Sequence, residues 1–228
     1  MELTQMNYKF LKKPFDYYMV SQHFGENKAC YAYANGKYIT IGKQDYEVCP
    51  VGYKSVYSQM LGHNGTDFPL KSGQDIVAST DGYVVEICTE EARGLGIGIL
   101  TDKKYYCDET GKEEYFKYRN WHLKAINVHL GQYVKKGDII GQGDNTGFSS
   151  GDHLHFELKP VTFTGDILTV KDLQLTNVLQ SNGYLGAINP LPYIMTDDLQ
   201  KIEDDMNSQG FTELWQKIVY VLKKYGSR

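Results

Sequence analysis

Residues 149–160 read SSGDHLHFELKP, and the alternation inside this stretch decides how the chain is read. Successive side chains of a β-strand point to opposite faces, so residues two apart share a face. Leu154, Phe156 and Leu158 then face a core, and His153 and His155 project together from the other side. The serine- and glycine-rich start is a turn that positions the strand. Outward from here the same pattern recurs in DIVAST (75–80), GYVVEIC (82–88), GIGILT (96–101), YFKYRNWHL (115–123) and DIIGQG (138–143). These runs are rich in β-branched and aromatic residues. LKSGQD, TDGY, KKGD and GDNTG separate them, which is the signature of a mainly β, antiparallel domain.

The composition fits one such core with appendages. The chain has 228 residues, 41% hydrophobic and 23% charged, with a net charge of −4. That balance, with no dense Lys/Arg stripe beyond the short KKYGSR tail, argues against nucleic acid as a partner. The four cysteines form no CxxC pair, so no thiolate metal site is indicated. The first residues contain no apolar leader-like segment, and no run is long enough to span a membrane. The expectation is a protein made in the cytoplasm. Residues 1–195 read as one domain: an N-terminal extension and insertion over about 1–58, a core over about 59–160 and a closing segment over 161–195. Lys28–Tyr57 reads as an irregular insertion, with turns at Asn35-Gly36 and Pro50–Gly52. Residues 196–228 read as a helical pair. Leu199, Ile202 and Met206 share a face of the first helix, and Leu214, Ile218, Val221 and Tyr225 share a face of the second. Thr196 is the expected N-cap.

Two neighbouring imidazoles on a strand are ordinarily surface residues. LGHNGTDF changes the weighing, because His63 and Asp67 lie four apart with an Asn64-Gly65 turn between them. Zinc takes histidine nitrogen and carboxylate oxygen, and catalytic zinc sites use three protein ligands and keep one position open. His63, Asp67 and one of the two strand histidines would make such a set, and spacing alone leaves open which one. His122, in RNWHLKAI, supplies a further imidazole from another strand. Imidazoles beside a metal can accept a proton from water or donate to a developing oxyanion.

At this point the sequence resembles the lysostaphin/LytM-type zinc endopeptidases. The resemblance rests on GHNGTDF, GQDIVASTDGYVVEI, WHL and VHLGQYVKKGDIIGQGDNTGFSSGDHLHFEL, in that order. VSQHFGEN and GAINPLPYI resemble segments that flank the family's core. The resemblance implies a β-sandwich groove and one zinc ion (Zn2+) per chain, held by His63, Asp67 and His155. It implies that His122 and His153 orient and deprotonate water and stabilise the transition state. It further implies hydrolysis of peptide bonds in the stem or cross-bridge of bacterial peptidoglycan. The alternative is a non-cutting relative that binds wall or a partner as a structural part of a phage tail. A carrier domain is the other candidate, but no modifiable lysine sits at a tight hairpin tip.

Family members without a leader are often parts of bacteriophages, so the expected place of action is the cell wall, as a virion-associated or lysis-released protein. The first reading of the C-terminal helices is that they pack back onto their own sheet; the other is that they contact phage tail or virion proteins. One departure stands out: Asn120 occupies the place where the family has tyrosine, two residues before the isolated histidine, and Tyr118 or Trp121 is the candidate replacement. Asp102–Arg119 is longer and more charged than the short hairpin the resemblance implies; it reads first as a solvated loop, and otherwise as a lining of the substrate groove. Glu157 reads as a supporting acid on the core-facing side of its strand, not as a general base. His23 and His129 read as surface or turn residues.

Overall fold

A computed structural model describes residues 9–17, 19–26, 60–147, 149–197, 199–201 and 204, and the backbone alone of residues 30–34, 37–41 and 54–55. It is mainly antiparallel β. The strands are β1 (Cys30–Ala34), β2 (Lys37–Ile41), β3 (Lys54–Ser55), β4 (Thr66–Pro69), β5 (Asp75–Val77), β6 (Gly82–Glu90) and β7 (Gly94–Thr101), followed by β8 (Tyr105–Cys107), β9 (Lys112–Ile126), β10 (Tyr133–Val134), β11 (Ile139–Gly143), β12 (His153–Thr164) and β13 (Gln174–Asn177). β2, β1 and β3 form a small sheet of their own. The insertion read as irregular therefore contains a hairpin, in which Cys30–Ala34 pairs with Lys37–Ile41 across the Asn35-Gly36 dipeptide.

The other strands form one sheet in the order β10-β6-β7-β9-β11-β5, with β12 joined to β9, β4 and β13. The 15-residue β9 is its spine, pairing with β7, β8, β11 and β12. Leu154, Phe156 and Leu158 are fully buried, as the alternation requires, among Phe68, Ile97, Ile99, Phe116 and Tyr118. The opposite face of β12 is buried too: His155, Glu157 and Lys159 are each less than 10% exposed. Gly96 makes room on that side, because a Cβ there would lie 2.2 Å from the Trp121 ring. The guanidinium groups of Arg93 and Arg119 lie 5.5 and 5.7 Å from the centroid of the indole.

Asp102–Arg119 is not a solvated loop. Its first part folds back as β8 on the start of β9, with Tyr105 opposite Glu114. Phe10, from the N-terminal extension, stacks on Tyr105 at 3.9 Å and packs against Phe116 and Tyr193. Leu11 bridges in parallel to Ile194. Burying these aromatic faces (each large aromatic side chain removes on the order of 150–250 Å² from water) is what orders a segment whose charge suggests solvent. At the C-terminal end helical residues begin at Asp197, and the Thr196 carbonyl accepts from Gln200 N–H at 2.9 Å. Thr196 Oγ1 caps Leu199 N–H at 3.4 Å. Ile202, Met206 and the whole second helical stretch lie outside the described residues. Among the described residues no helix is long and apolar enough to cross a membrane, and Cys88 and Cys107 are free thiols.

Candidate metal centre

β4 and β12 run antiparallel with Asp67 directly opposite His155. Neighbouring strands lie about 4.8 Å apart, so residues in that register meet side chain to side chain. The loop before β4 then brings in His63. Gly65 lets the loop lie against β12, since a Cβ there would fall 2.7 Å from the His155 ring.

The result is a tight triangle. His63 Nε2 lies 2.8 Å from His155 Nδ1 and 3.1 Å from Asp67 Oδ1, and His155 Nδ1 lies 3.0 Å from the same oxygen. All three residues are buried. Three donors around one tetrahedral zinc ion, with bonds of about 2.05 Å, would stand about 3.3 Å apart. The observed triangle is slightly tighter, and it matches the donor chemistry of such a site: two imidazole nitrogens and one carboxylate oxygen that could hold a metal ion.

Each imidazole turns its other nitrogen towards an oxygen. His63 Nδ1 donates to the His23 carbonyl at 3.1 Å. His155 Nε2 faces Glu157 Oε1 at 3.7 Å. A carbonyl or carboxylate beside one ring nitrogen favours the tautomer of the neutral ring that offers the lone pair of the other to the centre. Burial disfavours the charged form of His155, but the carboxylates of Asp67 and Glu157 outweigh it and push its pKa up to about 9. Burial would raise the Asp67 pKa, yet His63 and His155 hold it well below the usual carboxylate range.

The remaining two imidazoles stand beside the triangle. The His122 and His153 rings are 4.5 Å apart between centroids, and His122 is 6.1 Å from the His155 ring. His153 Nδ1 donates to the Gly151 carbonyl at 2.8 Å, and its Nε2 lies 3.7 Å from Asp67 Oδ2. His122 Nδ1 donates to the Thr146 carbonyl at 2.6 Å. Burial and the neighbouring His153 lower the His122 pKa to about 4, so it is neutral at neutral pH. His122 has a φ of +63°, rare for a residue with a side chain. β7 takes two steps from Leu95 to Ile97 while β9 takes three from Leu123 to Asn120. The extra residue is a β-bulge, a common device for re-aiming a side chain.

Two expectations need correction. Glu157 does not face the core. It shares the histidine face of β12, fully buried, and accepts from Asn64 Nδ2 at 2.8 Å and from Arg119 and Lys159 at 3.3 Å each. Arg119 continues to Glu86 through a two-pronged contact at 2.8 and 2.9 Å, which Lys117 joins at 3.1 Å. Tyr118 does not stand in for the missing tyrosine: its hydroxyl is buried in the core and accepts from the Ser79 and Thr80 backbone at 3.1 and 3.4 Å. Trp121 does lie opposite His155, but its ring is taken up over Gly96. Asn120 is fully buried opposite Phe156 and Ile97, and its amide has no hydrogen-bond partner among the described residues. Nothing in the structure explains that amide. His23 reaches the site through its backbone carbonyl, a role that side-chain reading could not have found.

An antiparallel sheet thus gathers a His–Asp–His donor set that could hold a metal ion, with two further imidazoles alongside. Peptidase family M23 is matched over residues 61–166, and this stretch, which holds all five site residues, is an M23 domain. It is homologous to lysostaphin of Staphylococcus simulans, 32% identical over 136 residues, 57% of this chain and 24% of that protein. It is likewise homologous to the peptidoglycan DD-endopeptidase ShyA of Vibrio cholerae, 35% identical over 103 residues, 45% of this chain and 21% of that protein. The chain thus spans about a quarter of the length of these curated relatives. Among solved structures, the catalytic domain of lysostaphin from S. simulans is similar at 27% identity, covering 58% of this chain and 78% of that one with a TM-score of 0.42.

Proposed function

We propose that the protein is a zinc-dependent endopeptidase that hydrolyses peptide bonds in the stem or cross-bridge of bacterial peptidoglycan. One observation carries the reading: three metal-type donor atoms converge within about 3 Å, flanked by two imidazoles whose outer nitrogens are already committed. Relatives named as peptidoglycan endopeptidases support the substrate class. His63, Asp67 and His155 hold the ion. When bound, zinc supplies Lewis-acid chemistry and lowers the pKa of water towards ~7.

The chain's own residues handle the protons. With Nδ1–H given to a carbonyl, His122, neutral at neutral pH, can only accept at Nε2, and the tautomer of His153 leaves its Nε2 placed in the same way. Either can therefore take the proton of an attacking water. Once protonated, the same Nε2–H becomes a donor, able to bond a developing oxyanion or to pass the proton to the leaving amine. The non-cutting alternative is not favoured, because no member of the set is missing or turned away.

The test is mass spectrometry of soluble fragments from peptidoglycans of several cross-link types, incubated with zinc-loaded protein. New peptide termini are expected, and no cleavage of any wall type by protein holding one zinc would defeat the reading. His153→Ala is expected to lower kcat at least ~100-fold, the usual weight of a proton-transfer group, while keeping one zinc per chain. Loss of the zinc from this variant, with its retention in His155→Ala, would reverse the assignment of the two histidines.

Metal affinity should fall with pH. A protonated His155 cannot bind a metal, and its pKa stands near 9 in the metal-free protein. Binding below that value must expel the proton, so apparent affinity drops about tenfold per pH unit on acidification. Competition with a chromophoric chelator at pH 6, 7 and 8 would show the slope, and a flat profile would contradict it.

A further inference from the structure

We propose that Thr146 is a positioning residue that holds the His122 imidazole in its working tautomer and orientation. The inference rests on the proposed peptidase reading for its activity arm, but the geometry stands by itself. Thr146 makes three contacts at one junction. Its hydroxyl donates to the Leu123 carbonyl at 2.8 Å and accepts from Leu95 N–H at 3.1 Å. Its own carbonyl accepts from His122 Nδ1–H at 2.6 Å.

The hydroxyl therefore spans the β-bulge, tying β7 on one side of His122 to β9 on the other. The bulge opens the ladder there, so Leu95 N–H and the Leu123 carbonyl take a side-chain partner in place of a strand. The rest of the junction leaves little play. His122 N–H donates to the Arg93 carbonyl at 3.2 Å, and the His122 carbonyl accepts from Asp144 N–H at 2.9 Å. Gly94 and Gly147 both have φ near +70° to +80°. A Cβ on Gly94 would lie 2.4 Å from Thr146, and one on Gly147 would lie 2.3 Å from the Gly94 nitrogen. With the backbone so close on both sides, the hydroxyl sets where the Thr146 carbonyl stands. The carbonyl in turn sets which nitrogen of His122 carries the proton. His122 sits at a strained φ, and such a conformation persists only where its surroundings over-determine it.

The test compares Thr146→Val, which keeps shape and removes the hydroxyl, with Thr146→Ser, which keeps the hydroxyl. Nitrogen-15 NMR of the full zinc-loaded chain reads the tautomer, and His122→Ala identifies the resonance. The wild type and Thr146→Ser are expected to show the Nδ1–H form, and Thr146→Val to lose it. kcat of Thr146→Val is expected to fall about 10- to 100-fold, as for a misplaced catalytic group, with KM and zinc content within twofold of wild type. Thr146→Ser restores kcat. A Thr146→Val protein that keeps the Nδ1–H form and full kcat overturns the proposal, as does a Thr146→Ser protein as impaired as Thr146→Val. If the wild type cuts no peptide bond, the peptidase reading fails and the tautomer alone decides this one. If Thr146→Val does not fold, Thr146→Ala takes its place with the same expected readings.

Discussion

Replacing Asp67 with alanine is expected to remove metal and activity together. Asp67 is the only anionic member of the donor triangle, and its Oδ1 lies 3.0 and 3.1 Å from the two nitrogens. The carboxylate is buried, yet His63 and His155 keep it ionised across the working pH range. Without it only the two imidazoles remain, with no anionic charge to offset a dication drawn out of water. A four-donor zinc site is worth about 10–16 kcal/mol near neutral pH, so one donor carries about 3 kcal/mol, a loss of at least ~100-fold in affinity. Activity should fall further, because a chain without its ion has only the histidines to offer. Zinc per chain after dialysis against a weak chelator, measured beside peptidoglycan cleavage, gives both readings. Asp67→Ala that keeps one zinc at wild-type affinity would remove Asp67 from the ligand set. The contrast with His153→Ala makes the pair informative: one variant loses the ion and the other keeps it, and both stop cutting.

Much of this site was legible in the sequence, and the reasons are local. Period-two alternation places His153 and His155 together and sends Leu154, Phe156 and Leu158 inward. The four-residue spacing of His63 and Asp67 across an Asn-Gly turn gives the second half. Their meeting is not local. His155 and Asp67 are 88 residues apart, and only the β4–β12 register puts them opposite one another. Glu157 shows a different kind of miss, because the alternation that pairs the two histidines also puts Glu157 beside them. The reading that puts it on the core-facing side goes against that alternation, which gives the core face to Leu154, Phe156 and Leu158. Its partners Arg119 and Lys159, which make burial tolerable, are recognisable only once β9 and β12 are paired. The same holds for Asp102–Arg119. Its charges suggest a solvated loop, while its core contacts come from Phe10 and Tyr193, far away in the chain at either end. The Leu95–Leu123–Thr146 junction left no composition signal at all, since one hydroxyl in a Gly/Asp/Asn-rich turn looks like any other.

Glu157→Ala is expected to cost both stability and metal affinity, and the two losses have separate causes. The patch around Glu157 holds three cations, Lys117, Arg119 and Lys159, against two carboxylates, Glu86 and Glu157. Burial alone would raise the Glu157 pKa, but contact with His155, Lys159 and Arg119 holds it well below the ordinary value, so it is ionised at neutral pH. Truncation leaves Lys117 and Arg119 with Glu86, removes the carboxylate 3.3 Å from Lys159, and takes from Asn64 Nδ2 its acceptor at 2.8 Å. Breaking a buried pair by removing one partner costs about 3–5 kcal/mol, far more than a surface pair is worth. In a chain of this size each kcal/mol moves Tm by about 2–4 °C, so a fall of about 10 °C is expected by calorimetry. The metal effect runs through His155. Glu157 Oε1 faces the ring nitrogen that points away from the triangle. Loss of such an orienting carboxylate typically weakens a metal site 10- to 100-fold. Glu157→Gln separates the causes, because it keeps the volume and an oxygen for Asn64 but removes the charge. If Glu157→Gln matched wild type in Tm and zinc affinity, the charge network would be incidental. If it lowered both, as the crowding of cations predicts, the carboxylate that reads in sequence as a supporting acid would be what lets a histidine ligand sit buried in this sheet.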